Sequence, residues 1–114
     1  SEKHLRSFTY VGDIVDGFVS ILNNYEKCVG EIFNLGFDGA ITVGEGLKIV
    51  EDYLGKKAIY DIKPPRLGDQ LETRATIKKA REVLGYNPTT TPEEGLKKEV
   101  DWFKDKIWKK INLY

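Results

Sequence analysis

"RSFTYVGDIVDG", residues 6–17, carries two hydrophobic periods back to back. Arg6–Val11 mixes aromatic and β-branched residues, which predicts a short strand. Beyond it the spacing changes. Ile14, Val15, Phe18, Ile21 and Leu22 recur on one face at helical spacing, and Asp13 stands where a side chain caps a helix start. A strand running directly into a helix is the repeating unit of an α/β fold.

The alternation continues outward. Glu31–Leu35, the "EIFNL" of "GEIFNLGFDG", reads as a strand ended by glycines, with a continuous apolar centre suited to cover on both faces. Thr42 and Glu45 have the spacing of a capping box, and the helix they start closes at Gly55, with Val43, Leu47, Val50 and Leu54 inward. "AIYDI", residues 58–62, is a further predicted strand. Thr76 opens a helix that ends at Gly85 and turns Ile77, Ala80 and Leu84 inward. Thr91, Pro92 and Glu94 then give a strong start signal for a last helix burying Leu96, Val100, Phe103 and Ile107. The expected architecture is α/β, with three short strands alternating with four helices. Three short strands do not complete a doubly wound sheet, so the rest of such a sheet is expected from polypeptide outside this chain.

Composition narrows the function. The 114 residues carry a formal net charge of zero, so no global field draws the chain to nucleic acid or to a membrane surface. No apolar run approaches the roughly 20 residues that span a bilayer. Cys28 has no second cysteine to pair with, and His4 is the single histidine, which makes a zinc site a poor expectation. A cytoplasmic setting follows as the default. The sequence contains no methionine, and the expectation is that an upstream portion is missing.

Three patterns invite a reading that the residues do not support. Tyr53 and Lys57 match Tyr-x-x-x-Lys, yet Gly55 and the end of the amphipathic pattern fall between them, so the two are not expected on one helical face. Gly44 and Gly46 imitate the first part of a Gly-x-Gly-x-x-Gly phosphate loop, but Ile49 stands where the third glycine belongs; glycines near a helix start serve close packing. The last helix carries Lys97, Lys98, Lys104, Lys106, Lys109 and Lys110 with Trp102 and Trp108. Because Glu99, Asp101 and Asp105 sit among those lysines, a solvated face over a core is expected there rather than a nucleic-acid surface.

The loop "KPPRLGDQ", residues 63–70, is different in kind. Two prolines stiffen it, Gly68 lets it turn, and Arg66 and Asp69 project from the bend. A guanidinium grips phosphate with paired donors and never loses its charge. A carboxylate repels phosphate but accepts hydrogen bonds from paired hydroxyls such as those of a ribose. Together they suit a nucleotide, although a surface Arg–Asp pair in a turn has the same sequence.

Nearly the whole chain resembles the C-terminal portion of the extended short-chain dehydrogenase/reductase family, the NAD-dependent sugar-nucleotide epimerases and dehydratases. "RSFTYVGDIVDG", "EIFNLG", "PPRLGD" and "KKAREVLGYNPTTTPEEGLKKEVDWF" are similar to four family segments in the family's order. The flavour is that of UDP-glucuronate and UDP-glucose 4-epimerases. Ser7 and Gly12 depart from the family's acidic residues at those positions. The resemblance implies that Arg6 and Arg66 hold the substrate diphosphate and that Asp69 takes the ribose hydroxyls. Asn34 and Asp13 would do structural work, at a strand end and a helix cap. It also implies NAD bound by the missing N-terminal Rossmann portion, which would hold the catalytic residues as well. Residues 1–114 would then be the nucleotide-sugar-binding portion of an enzyme expected to be a homodimer, inactive by itself. The alternatives are a dehydratase or decarboxylase of the same family, and a non-catalytic module binding nucleotides or protein.

Overall fold

The computed structural model describes residues 2–64 and 66–111. Chain order is β1 (Leu5–Arg6), α1 (Val11–Asn23), α2 (Tyr25–Cys28), β2 (Ile41–Thr42), α3 (Val43–Leu54), β3 (Glu72–Thr73), α4 (Lys78–Leu84) and α5 (Pro92–Trp102). A π-helical segment (Phe103–Trp108) and α6 (Lys109–Ile111) continue α5. β1 is central. It pairs antiparallel with β2, Leu5 opposite Thr42, and parallel with β3, Leu5 opposite Glu72 and Arg6 opposite Thr73. The α/β architecture expected from the sequence is therefore present.

Two of the three expected strands lie elsewhere. Glu31–Leu35 and Ala58–Ile62 pair with no strand among the described residues, and the sheet is completed by Ile41–Thr42 and Glu72–Thr73 instead. A strand exists only through a partner backbone. Ile32, Ile59 and Ile62 remain 83%, 102% and 87% exposed. The first strand is also shorter than expected, because after the Ser7 N–H bond to the Thr73 carbonyl residues 8–10 lead out of the sheet into α1.

Local signals built the helices. Thr42 and Glu45 close a reciprocal capping box on α3, and Thr91 and Glu94 do the same on α5, with Pro92 at the first helical position. Gly85 ends α4 in the left-handed region, at φ 66°. Ile77, Ala80 and Leu84 point inward as expected and, with Tyr86, form the buried core. α3 packs on α5.

α1 departs from expectation in two ways. Tyr10, not Asp13, occupies its cap position. Asp13 is buried and accepts hydrogen bonds from the backbone N–H and the hydroxyl of Thr90, each at 3.2 Å. It thereby ties α1 to the turn before α5. The apolar stripe is mostly uncovered, since Val15, Phe18 and Leu22 are 53–73% exposed. Contact with the rest of the fold runs through Ile21, packed against the core, and through Gly17, where a Cβ would lie 2.7 Å from Leu35 Cδ1.

The last helix also differs. Leu96, Val100 and Ile107 are half-buried, but Phe103, Trp102 and Trp108 are exposed, so its final turns do not cover a core. The radius of gyration, 17.2 Å, exceeds the ~13 Å typical of a closed domain of this length.

Candidate functional site

Residue 65 of the 63–70 loop lies outside the described residues; residues 66–70 lead into β3, and β3 lies beside β1. This places Arg6 against the loop. Arg6 donates from one terminal nitrogen to the Leu5 carbonyl at 2.7 Å and from the other to the Gln70 carbonyl at 2.8 Å. Backbone bonds continue the seam, from Leu5 N–H to the Leu71 carbonyl at 2.9 Å and from Ser7 N–H to the Thr73 carbonyl at 3.2 Å. Arg6 is half-buried and Arg66 exposed.

Within the loop, Asp69 N–H donates to the Arg66 carbonyl at 3.2 Å, and Gly68 has φ 84°. Leu67 has no positive φ, so residues 66–69 have the signature of a type II turn, which requires a left-handed residue at its third position. The turn puts Arg66 and Asp69 at its two ends. Both are exposed, and among the described residues neither side chain is engaged in an ion pair. The neighbouring charges are engaged: Lys63 with Asp61, and Arg74 with Glu72. The structure thus brings Arg6 to the loop that carries the other two residues. Sequence reasoning missed the Gln70 carbonyl, because a backbone acceptor leaves no signal in residue type.

Two clefts lie elsewhere. One of about 490 Å³ is walled by Phe8, Tyr10, Leu96, Lys98 and Trp102, among others, with the Lys98 ammonium 4.3 Å from the Tyr10 ring centre. A second, about 530 Å³, lies between α3 and the start of α5. Neither is lined by Arg6, Arg66 or Asp69. An arginine–aspartate grip on an open loop is not a concave pocket, and its donors, not its volume, mark it as the candidate.

The three misleading patterns resolve as structural. Tyr53 donates its hydroxyl to the Asp101 carboxylate at 2.8 Å, and this bond raises the phenol's pKa, the reverse of what proton abstraction needs. Lys57 pairs with Glu51 instead, across the Gly55 cap. The Glu51 carboxyl is held below its ordinary range, chiefly by the Ala58 N–H, then by Lys57 and Tyr60. Gly46 lies under the Phe8 ring, 3.2 Å from where a Cβ would stand, and Gly44 faces the Glu2 carbonyl at 3.3 Å. These glycines serve packing, so residues 44–49 do not fit a dinucleotide phosphate.

Lys97, Lys98, Lys104, Lys106 and Lys109 of the last helix are likewise occupied. Lys97 pairs with Glu93, and Lys106 and Lys109 with Asp105, whose pKa those two ammonium groups lower to about 2. Lys97 and Lys104 also lie over the Tyr53 ring. Among the described residues no cluster of metal-ligating side chains occurs, and no helix is long and apolar enough to cross a membrane. Asn34 is exposed.

No family model matches the chain. Among known proteins, it is 40% identical over 110 residues to a UDP-glucuronate 4-epimerase of Arabidopsis thaliana, a match covering 86% of this chain and 25% of that protein. A UDP-glucuronic acid decarboxylase of the same plant is 35% identical over 105 residues, covering 92% and 23%. Among solved structures, the UDP-glucuronic acid 4-epimerase of Bacillus cereus, in complex with UDP-glucuronic acid and NAD, superposes with a TM-score of 0.83. That match has 30% identity and covers 91% of this chain and 33% of that one. Over this stretch the chain is similar in sequence and in fold to sugar-nucleotide epimerases. It spans about a quarter to a third of the length of the curated relatives it matches.

Proposed function

We propose that residues 1–114 are the C-terminal, nucleotide-binding portion of an NAD-dependent sugar-nucleotide epimerase acting on a UDP-hexose or UDP-glucuronate. The observation that carries this reading is the contact of Arg6 with the loop of Arg66 and Asp69. Arg6 and Arg66 would neutralise the diphosphate, and Asp69 would accept the ribose hydroxyls. Arg6 has five N–H donors and uses two of them on carbonyls, which leaves three for phosphate oxygens. Two guanidinium groups suit a diphosphate because each offers a planar pair of donors. Holding the nucleotide would position the sugar while leaving the reacting carbon to other groups, the use of remote binding energy common in enzymes.

No residue of this chain is assigned to catalysis. NAD would be held by polypeptide outside it, since the glycines at 44 and 46 are filled by packing. That larger body would also cover Val15, Phe18 and Leu22 and give Glu31–Leu35 a strand partner. The similarity to a decarboxylase supports a second reading, in which the same grip serves that reaction. A cytoplasmic homodimer is the setting this reading implies.

Isothermal titration of the full-length protein with UDP tests the assignment. Arg66→Ala should weaken binding on the order of 10- to 100-fold, the loss of a charged hydrogen-bonding partner, with NAD retention unchanged. Unaltered affinity would remove Arg66 from the site. Binding of single-stranded oligonucleotide with a steep salt slope, and no response to UDP, would replace the reading altogether.

A further inference from the structure

We infer that Arg6 is a positioning residue for the 66–69 turn as well as a ligand group, acting as a clasp that fixes where the turn is presented before any nucleotide arrives. The ligand role of the turn rests on the function proposed above; the clasp does not.

Residues 66–71 are exposed throughout. Their internal bracing is the single turn bond from Asp69 N–H to the Arg66 carbonyl. β3 is two residues long and is itself exposed. What roots the loop at its C-terminal end is the seam with β1, and that seam has three parts in a row: the Arg6 guanidinium on the Gln70 carbonyl, Leu5 N–H on the Leu71 carbonyl, and Ser7 N–H on the Thr73 carbonyl. The guanidinium bond is the outermost. It acts one residue beyond Asp69, where the chain leaves the sheet and the turn begins.

The geometry is that of a fork. One terminal nitrogen of Arg6 is anchored on its own strand at the Leu5 carbonyl, and the other reaches the loop. Because the guanidinium is planar and delocalised, fixing one arm fixes the plane of the other. A lysine at this position keeps the charge but donates from one atom, so it cannot span the two carbonyls in a fixed plane. Without the clasp the loop would populate other positions, and affinity would fall by the fraction of time the turn is correctly presented.

The test uses the full-length protein with Arg6→Lys and Arg6→Gln, read by hydrogen exchange without ligand and by titration with UDP. Exchange at the Leu5, Ser7 and Asp69 amides should rise about tenfold in both variants, the effect of losing one charged hydrogen bond. Exchange at Arg81 and Gly85 in the α4 region should not change. UDP affinity should fall in step with loop protection across the two variants, a correlation that loss of overall stability would not produce. Arg66→Ala serves as the control, weakening UDP while leaving loop exchange at the wild-type rate. If the Arg6 variants weaken UDP with wild-type loop exchange, Arg6 is a ligand group only and the clasp is refuted. If the loop loosens but the wild-type protein does not bind UDP, the clasp stands and the nucleotide reading fails. Should Arg6→Gln not fold, Arg6→Lys alone carries both readouts.

Discussion

Replacing Asp13 by alanine removes a buried side chain that joins α1 to the turn ahead of α5. Asp13 is 6% exposed, and its carboxylate accepts from both the backbone N–H and the hydroxyl of Thr90. Thr90 is itself only 9% exposed. The substitution therefore strands a buried N–H that water does not readily reach. Leaving a buried donor unsatisfied costs about 1–3 kcal/mol. The Thr90 hydroxyl can rotate to another acceptor, so it adds less. A total of about 2–4 kcal/mol is expected, a large share of the 5–15 kcal/mol typical of a folded domain. Urea unfolding of the wild type, Asp13→Ala, Thr90→Val and the double variant closes the cycle. Thr90→Val keeps the N–H bond and should cost less than Asp13→Ala. The coupling between the two positions should exceed 0.5 kcal/mol. If Asp13→Ala destabilises by less than about 0.5 kcal/mol, a surface-like value, the buried tie is not structural and the account of α1 given above is wrong.

Two further outcomes follow from the same geometry. Glu45 and Glu94 have pKa values lowered from 4.5, chiefly by the cap residues' own N–H groups. A lowered folded pKa contributes stability above the unfolded value and loses it as pH falls, so helicity of α3 and α5 should decline below about pH 4.5. Circular dichroism should register that decline, and Glu45→Gln with Glu94→Gln should flatten it. Under the proposed function, Tyr53→Phe should leave epimerase turnover unchanged, because the hydroxyl is engaged with Asp101; a steady-state assay showing a hundredfold loss would reinstate Tyr53 and Lys57 as a catalytic pair.

What the sequence disclosed was whatever depended on near neighbours. Both capping boxes join residues three apart, so Thr42–Glu45 and Thr91–Glu94 are readable from spacing. The same is true of the turn at Gly68 and the helix end at Gly85, where glycine supplies a left-handed conformation. Ile77, Ala80 and Leu84 repeat with helical period and are buried as expected. The strands failed because pairing is decided at a distance. Ile32 and Phe33 have strand character, yet no backbone among the described residues meets them, while the unremarkable Glu72 and Thr73 pair with β1. Asp13 failed for a related reason. Its position suited a cap, but its partner lies 77 residues on, inside a run of threonines that gives no hint which one turns inward. Arg66 and Asp69 stand out by the loop's composition, and Arg6 by family likeness. What their distance in sequence concealed is that the first strand and the loop are physically continuous.

Leu5–Arg6 is a two-residue strand occupied on both edges, and this makes registration and recognition one event. Slipping it by a single position would turn the Arg6 side chain to the opposite face and break the guanidinium's hold on Gln70. Any molecule that favours the correct alignment would therefore also tighten the antiparallel edge at Ile41 and Thr42, where α3 begins. A grip felt at the loop would be answered at a helix start on the far edge of the sheet.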